Sequence, residues 1–422
     1  TRLRKHFDLC DLPVDWKVPQ LQQIYKFFCD ALKELEINKW ETKKCDKTKL
    51  SMDLDILGVT HTFALGGVHG GRKNYICRPK EKKKIVWVDV SSLYPNILTK
   101  WDLLSRKVDR NGCEAFANMV QVRMDIKAKL HDEGLSKEEK KALKDQAARY
   151  KLILNTTSGC MKDKFKKIYD PEFNTKMCML GQLSLMDLVY RLAHAKPRAR
   201  LTGGGYYEYF KLIQSNTDGI ALELLSDDAE GIIDDVCKGW EKDWRFSLEK
   251  TVADNLYEKD VNNYVFKDSS GKIKVKGAYV TKYDDNEQDT LAILAKAVVD
   301  YFLEGKDIRT TICNPENLAT DYQMIKKLGG MYDTPTWKRE YGDVEVQKVN
   351  RIFPSTDPNN GGLYKHKKSK EIGVLDKVEG TPEHVLIYNE DIRGKKIGEL
   401  DDIDYEWYIT EATKRVNDFL RN

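Results

Sequence analysis

Residues 85–96 read Ile85-Val86-Trp87-Val88-Asp89-Val90-Ser91-Ser92-Leu93-Tyr94-Pro95-Asn96. A short apolar, β-branched run leads into an aspartate, which predicts a buried strand over 85–98 ending in a turn at Pro95. A second apolar run, Ile220-Ala221-Leu222, follows Asn216-Thr217-Asp218-Gly219. Ile213 to Leu224 therefore predicts strand, tight turn and strand, with Thr217-Asp218-Gly219 at the bend. Either aspartate alone reads as a cap or turn residue. Together, Asp89 and Asp218 can converge at one sheet edge and hold two divalent metal ions, an arrangement that serves phosphoryl transfer.

The chain has 422 residues, 41% hydrophobic and 33% charged, enough for two or three domains with real cores. No run of 18 apolar residues occurs, so no membrane span is expected, and Thr1 to Cys10 contains no apolar signal core. A start at threonine reads as a trimmed chain or a piece of something longer. Nine cysteines lie scattered without a Cys-x-x-Cys pair, which reads as reduced thiols and not a zinc cluster. Seven dispersed histidines receive no catalytic role. A net charge of +4 from 71 basic and 67 acidic residues leaves nucleic-acid binding open. The basic clusters at 82–84, 162–167 and 365–370 read singly as solvated faces. Several of them near one acidic metal site would make a phosphate-tracking groove.

Outside the two aspartate segments, Leu21 to Leu35 has helical spacing. Leu65-Gly66-Gly67-Val68-His69-Gly70-Gly71 places four glycines in six residues. No Lys-Ser/Thr follows and no G-x-G-x-x-G is present, so the segment predicts a turn that lets a strand approach a template backbone, not a nucleotide loop. Residues 112–158 predict a helical hairpin, with Gly134 just past the first helix and Ser136-Lys137-Glu138-Glu139 as a capping box opening the second. Gly159 marks the end of that second helix or a bend in it. Residues 172–195 predict a helix with Leu180, Leu183, Leu188 and Leu192 on its apolar face. Residues 261–283 predict a hairpin turning at Ser269-Ser270-Gly271, Gln288 to Leu303 a helix, and Asp404 to Leu420 a closing helix. No low-complexity linker divides the chain, so interleaved domains are expected.

Between the aspartates, Lys151 and Asn155 share a helix face at i, i+4, with Ser158 and Gly159 one turn on. Arg123 and Lys127 repeat that spacing on the first helix of the hairpin. Cations beside a metal pair would neutralise a triphosphate, the electrostatic help that phosphoryl transfer chiefly needs. An ordinary exposed helix face is the other reading of Arg123 and Lys127.

These residues carry a resemblance. Asp89-x-x-Ser92-Leu93-Tyr94-Pro95-Asn96 resembles motif A of the family B DNA polymerases. Lys151-x-x-x-Asn155-x-x-Ser158-Gly159 resembles their motif B, and Asn216-Thr217-Asp218-Gly219 their motif C. Lys274-Val275-Lys276-Gly277-Ala278-Tyr279 resembles the lysine-tyrosine motif that grips primer-template. Gly66-Gly67 before motif A, with the form of motif C, is most similar to the bacteriophage or mobile-element branch. The resemblance implies that Asp89 and Asp218 hold two Mg²⁺ ions, with Mn²⁺ as a substitute and the Val90 carbonyl as a third ligand. It implies that Ser92 and Leu93 contact the triphosphate through backbone N–H groups and that Tyr94 excludes a 2′-hydroxyl. Lys151 with Arg123 or Lys127 would bind the β- and γ-phosphates, and Asn155 would line the nucleotide pocket. Gly66, Gly67, Lys276 and Tyr279 would contact DNA. Three positions depart from the family pattern: Asn216 for the first aspartate of motif C, Gln214 for a tyrosine, and Ser158 for the tyrosine of motif B. About 80 residues before motif A are too few for the family's exonuclease, and they show no Asp-x-Glu pair.

The expected fold is α+β, a right hand with an antiparallel-sheet palm. Residues 1–84 would lead into the palm, 85–107 and 168–290 would form it, 108–167 the helical fingers and 291–422 the thumb. The expected activity is template-directed addition of deoxynucleotides to a primer 3′-hydroxyl without proofreading in this chain. Expected partners are primer-template DNA, deoxynucleoside triphosphates and a separate exonuclease or processivity subunit. Expected location is the cytoplasm, the host's if the chain is phage-encoded. A reverse transcriptase would show an aromatic-x-Asp-Asp hairpin, absent at 214–219. A silent nucleic-acid-binding subunit would need none of Asp89, Tyr94, Lys151 and Asp218.

Overall fold

The apolar run at 85–88 lies inside a strand, Lys84–Val90, that is hydrogen-bonded on both sides. A computed structural model describes residues 7–130, 132, 134–195, 209–280 and 291–421. The parts of the expectations that fall on 1–6, 131, 133, 196–208, 281–290 and 422 lie outside the described residues. The chain divides into two compact units: Thr1–Arg72 with Pro79–Asp254, and Lys73–Arg78 with Asn255–Asn422. The second unit takes a short segment from between the two pieces of the first, so the chain is interleaved.

The first unit begins with α1 (Pro19–Ile37), β1 (Ser51–Ile56), β2 (Val59–Ala64) and β3 (His69–Gly71). After β4 (Tyr75–Cys77), which belongs to the second unit, come β5 (Lys84–Val90) and α2 (Leu93–Lys100). The hairpin α3 (Arg110–Lys129) and α4 (Lys137–Lys162) follows, then α5 (Pro171–His194), β6 (Phe210–Asn216), β7 (Gly219–Leu224), α6 (Ala229–Trp244) and β8 (Leu248–Ala253). The sheet order is β1-β2-β3-β6-β7-β5-β8, with every neighbouring pair antiparallel. Val86, Val88 and Val90 of β5 join Ile220, Leu222 and the apolar residues of α5 in one core. Successive strand residues point to opposite faces, so Asp89, between two of those valines, is carried on the other face.

Helix α5 is buried on nearly every side, with 19 of its 24 residues buried. Two of its polar residues inside that core, Asp187 and Gln182, form hydrogen bonds there, as burial favours. Asp187 accepts from Trp244 Nε1 at 2.8 Å and pairs with Arg191 at 2.7 Å. Gln182 Nε2 donates to the carbonyls of Ala64 and Gly66 at 2.8 and 2.7 Å. Asp170 caps the helix by accepting from Phe173 N, and Arg106 holds Asp170 through two side-chain nitrogens at 3.0 and 2.7 Å.

The Ser136–Glu139 capping box is present with both of its reciprocal hydrogen bonds. Three local expectations are corrected. Pro95 does not end a strand in a turn but sits in the first turn of α2, where its missing N–H is not needed. The sharp turn is made earlier, at Ser92, whose φ of 55° is left-handed. Gly134 is not the residue closing α3, because that helix ends at Lys129 with Leu130 as its cap. Gly134 instead lies in a turn, its N donating to Asp132 Oδ1 at 2.9 Å. Of the two readings of Gly159, a helix end and a bend, the first is corrected, because α4 runs on to Lys162 before Asp163 caps it.

The second unit contains β9 (Leu256–Asp260), β10 (Asn263–Lys267), β11 (Ile273–Lys276), α7 (Ala292–Glu304) and α8 (Ile308–Ile312). It continues with β12 (Met324–Lys327), β13 (Thr336–Arg339), β14 (Val344–Glu345), β15 (Val349–Pro354), β16 (Asn360–His366), β17 (Leu375–Lys377), β18 (Val385–Ile387) and α9 (Tyr405–Leu420). Its sheets run β11-β10-β9-β4, β12-β15-β18 and β14-β13-β16-β17. Tyr257 of β9 shares an apolar core with Val298, Phe302, Tyr408 and Phe419 of α7 and α9. That packing places the hairpin β10–β11 with the carboxy-terminal helices, in the compact unit that begins at Asn255. No helix among the described residues is long and apolar enough to cross a membrane.

Candidate active site

Strand β5 ends at Asp89-Val90 beside the turn joining β6 and β7. Asp89 is paired across the ladder with Gly219, and Val90 N donates to the Asp218 carbonyl at 2.6 Å. The absence of a side chain at Gly219 is what makes this possible. A Cβ there would lie inside van der Waals contact of Asp89 Oδ1, 3.0 Å from Asp89 Cγ and 3.2 Å from the Val88 carbonyl. Thr217 makes the turn with φ of 55°.

A cleft of about 540 Å³ opens over these residues. Its lining includes Asp89, Val90, Ser92, Leu93, Tyr94, Arg123, Lys127, Lys151, Asn155 and Asp218, the expected catalytic, metal-binding and nucleotide-binding residues. The volume is that of an ordinary small-molecule site. Five stretches of sequence meet there: the β5–α2 junction, one face each of α3 and α4, the β6–β7 turn and, through Glu249, β8.

The cations differ in how they are held. Arg123 Nη1 donates to Ser92 Oγ, while its buried Nε has no hydrogen-bond partner. Burial lowers the Arg123 guanidinium from its ordinary value, with the charge of Glu249 opposing. Lys127 Nζ donates to Ser91 Oγ at 2.9 Å and pairs with Glu249. Lys151 is exposed and makes no ion pair among the described residues.

Glu249 is the residue that sequence reasoning missed. It lies on β8 directly across from Asp89, and two like charges so placed repel unless one is paired. Burial raises the Glu249 carboxyl, but hydrogen bonds from Lys127 and Ser91 and the charge of Arg123 outweigh it and hold it below the ordinary value. No local signal marks it, because its place depends on a strand pairing across 160 positions of chain.

Tyr94 is half-buried at the cleft floor, and burial pushes its phenol well above the usual value. Its hydroxyl is hydrogen-bonded to the Cys178 thiol of α5. Its ring edge lies over Gly181, where an added Cβ would be 3.5 Å from Tyr94 Cε1. Asn96 Nδ2 donates to the carbonyls of Ser91 and Ser92 at 2.8 and 3.2 Å, which stiffens the turn that presents Tyr94.

The four expected DNA contacts do not line the cleft. Gly66 and Gly67 precede β3, which pairs with β6 of the aspartate hairpin. Lys276 and Tyr279 belong to the second unit, where Tyr279 donates to Asp418 Oδ2 at 3.0 Å and lies under Lys259 at 5.0 Å.

His61, buried on β2, carries a pH prediction. Its Nδ1 lies 2.8 Å from the Val59 carbonyl and its Nε2 2.9 Å from Ser215 Oγ of β6. Burial pushes its pKa down from 6.5 to about 4. The unfolded chain therefore takes up a proton, between those two values, that the folded chain refuses. Stability should be complete above pH 6.5 and fall by about 3 kcal/mol as pH drops toward 4. Urea unfolding across that range should show the slope, and His61→Gln should flatten it; an equal slope in the variant would assign it elsewhere.

No protein-family model matches the chain, and no curated protein matches it. Among solved structures it is similar to the family B DNA polymerase from the hyperthermophilic archaeon Pyrobaculum calidifontis. The TM-score is 0.43 at 13% identity, over 83% of this chain and 46% of that one. The chain thus spans less than half of that polymerase, and the functional reading rests on the site's own residues.

The donor set is suited to Mg²⁺. Among the described residues no group of three or more His, Cys, Asp or Glu converges as a metal cage. Two carboxylates lining an open cleft would leave positions for phosphate oxygens and water, which is how Mg²⁺ is commonly held.

Proposed function

We propose that this chain is a template-directed DNA polymerase of the family B type, adding deoxynucleotides to a primer 3′-hydroxyl. The observation that carries the reading is the meeting of Asp89 and Asp218 with Arg123, Lys127 and Lys151 in one cleft. Acid at the floor and cations on the facing helices are the charges that a triphosphate and its metals require.

Asp89, Asp218 and the Val90 carbonyl would hold two Mg²⁺ ions, which when bound lower the pKa of the attacking hydroxyl and offset charge on the departing pyrophosphate. Lys151 would bind the outer phosphates. Arg123, which lines the same cleft, would bind a further oxygen. Lys127 would exchange Glu249 for phosphate. The backbone N–H groups of Ser92, the N-cap of α2, and of Leu93, its first residue, would contact the triphosphate at the amino-terminal end of that helix, a place that suits an anion. In the reaction, the 3′-hydroxyl gives its proton to water, the O3′–Pα bond forms, and the bond from Pα to the bridging oxygen breaks, releasing pyrophosphate. The palm would be the seven-stranded sheet, and the fingers α3 and α4.

The test is primer extension by the wild-type chain with Mg²⁺ and deoxynucleoside triphosphates on templates of known sequence. Products whose sequence follows the template are expected, and no extension would overturn the reading. Tyr94→Ala should raise use of ribonucleotides relative to deoxynucleotides by roughly 10- to 100-fold, since removing a steric block costs the right substrate little. Single-turnover incorporation of both sugars measures this; an unchanged ratio removes the sugar-selecting role.

A further inference from the structure

The glycine-rich segment ahead of β5 is explained by nothing in the reaction above, and its contacts point inward. Gly66 is anchored on α5: its carbonyl and that of Ala64 both accept from Gln182, a side chain 1% exposed. The next three residues each touch the β6–β7 turn. A Cβ on Gly67 would lie 2.5 Å from Thr217 Oγ1 and 2.9 Å from Thr217 Cγ2, so the Thr217 side chain occupies the space over this glycine. The Val68 carbonyl accepts from Thr217 N at 2.8 Å. His69 Nδ1 lies 3.0 Å from Asn216 Oδ1, and the two residues are ladder partners.

Thr217 holds a left-handed backbone, which a threonine adopts only when its surroundings require it. Asp218 follows it, and Asp218 N bonds back to the Asn216 carbonyl at 2.6 Å. Any shift of Asn216 or Thr217 therefore moves the Asp218 carboxylate. Small displacements of this size matter, because metal ligands act only within a few tenths of an ångström of their working positions.

We propose that Gly66 to His69 form a strut from α5 to the β6–β7 turn, with Gly67 and His69 as the residues that position Asp218 for metal. The inference rests on the proposed polymerase reading for its activity readout, and on metal binding for an independent one. It also gives Asn216 a role: its amide oxygen meets a histidine N–H where a carboxylate would have added charge beside the metals.

The experiment uses the full chain and compares Gly67→Ala, Thr217→Gly and the double variant, with His69→Ala and His69→Gln as a second pair. Two quantities are read: the Mg²⁺ concentration giving half-maximal primer extension, and Mn²⁺ binding followed by electron paramagnetic resonance with no nucleotide present. Gly67→Ala should raise the Mg²⁺ midpoint by about tenfold and weaken Mn²⁺ binding to match, as expected for a displaced ligand. Thr217→Gly removes the side chain that the new methyl meets and suits the left-handed backbone. The double variant should therefore recover most of the loss, a coupling that two independent defects would not show. His69→Ala should repeat the metal defect, and His69→Gln, which keeps a donor, should soften it. Weaker binding of primer-template by Gly67→Ala at an unchanged Mg²⁺ midpoint, with no rescue by Thr217→Gly, would overturn the strut in favour of a direct DNA contact. If Gly67→Ala does not fold, the His69 pair decides: wild-type Mn²⁺ binding in His69→Ala overturns the inference. A wild-type chain that extends no primer defeats the polymerase reading alone, and Mn²⁺ binding then judges the strut.

Discussion

Asp89→Asn and Asp218→Asn should each lower single-nucleotide incorporation by about 10³-fold or more, while leaving the fold in place. Asparagine keeps the size and most of the hydrogen bonding of aspartate, so the β5–β7 ladder from Lys84↔Leu224 to Asp89↔Gly219 has no reason to open. What is lost is one of the two charges at the cleft floor. The site has little to replace it with. Asn216, next but one to Asp218, is neutral, and Glu249 is already paired with Lys127. The measurement is rapid-quench incorporation at saturating Mg²⁺ beside thermal unfolding of each variant. Normal incorporation by either variant would show that the carboxylates are not the metal ligands.

Gly219→Ala should be nearly as damaging, by about 10²-fold or more, although it adds only one methyl group. That methyl would fall on Asp89 Oδ1 and within 3.2 Å of the Val88 carbonyl. The strand cannot retreat, because β7 is bonded to β6 on its other side. Asp89 must therefore swing away from its place beside Asp218. Overpacking of this kind costs roughly 1–3 kcal/mol of stability, which a compact unit of this size should survive. Gly231→Ala on α6 is the control, since a Cβ there meets nothing within 4 Å and should leave incorporation unchanged. Equal activity of Gly219→Ala and Gly231→Ala would mean that Asp89 does not need its present position.

The sequence was most informative where a local pattern implies its own structure. The hairpin α3–α4 was legible because apolar spacing and a capping box act over a few residues. The two strand-end aspartates were legible for the same reason, and so were the i, i+4 pairs Arg123–Lys127 and Lys151–Asn155, which do share helix faces on one cleft. Errors arose where one residue type serves two ends. Pro95 stops a strand or starts a helix, and only the left-handed turn at Ser92 decides which. Gly134 and Gly159 carry the composition of helix ends, but α3 stops earlier and α4 continues past its glycine.

By itself, then, the sequence determined the candidates for the proposed chemistry: which carboxylates, which cations, and in what order along the chain. Only the tertiary structure decided what surrounds them. Glu249 reaches Asp89 through a ladder spanning 160 positions, and Gly67 reaches Thr217 across 150. It is the tertiary structure, too, that joins the β10–β11 hairpin to the carboxy-terminal unit. The reason is the range of the forces involved. Caps, turns and helical faces are set by neighbours a few residues away, whereas strand pairing and the space above a glycine depend on which distant segments the fold brings into contact.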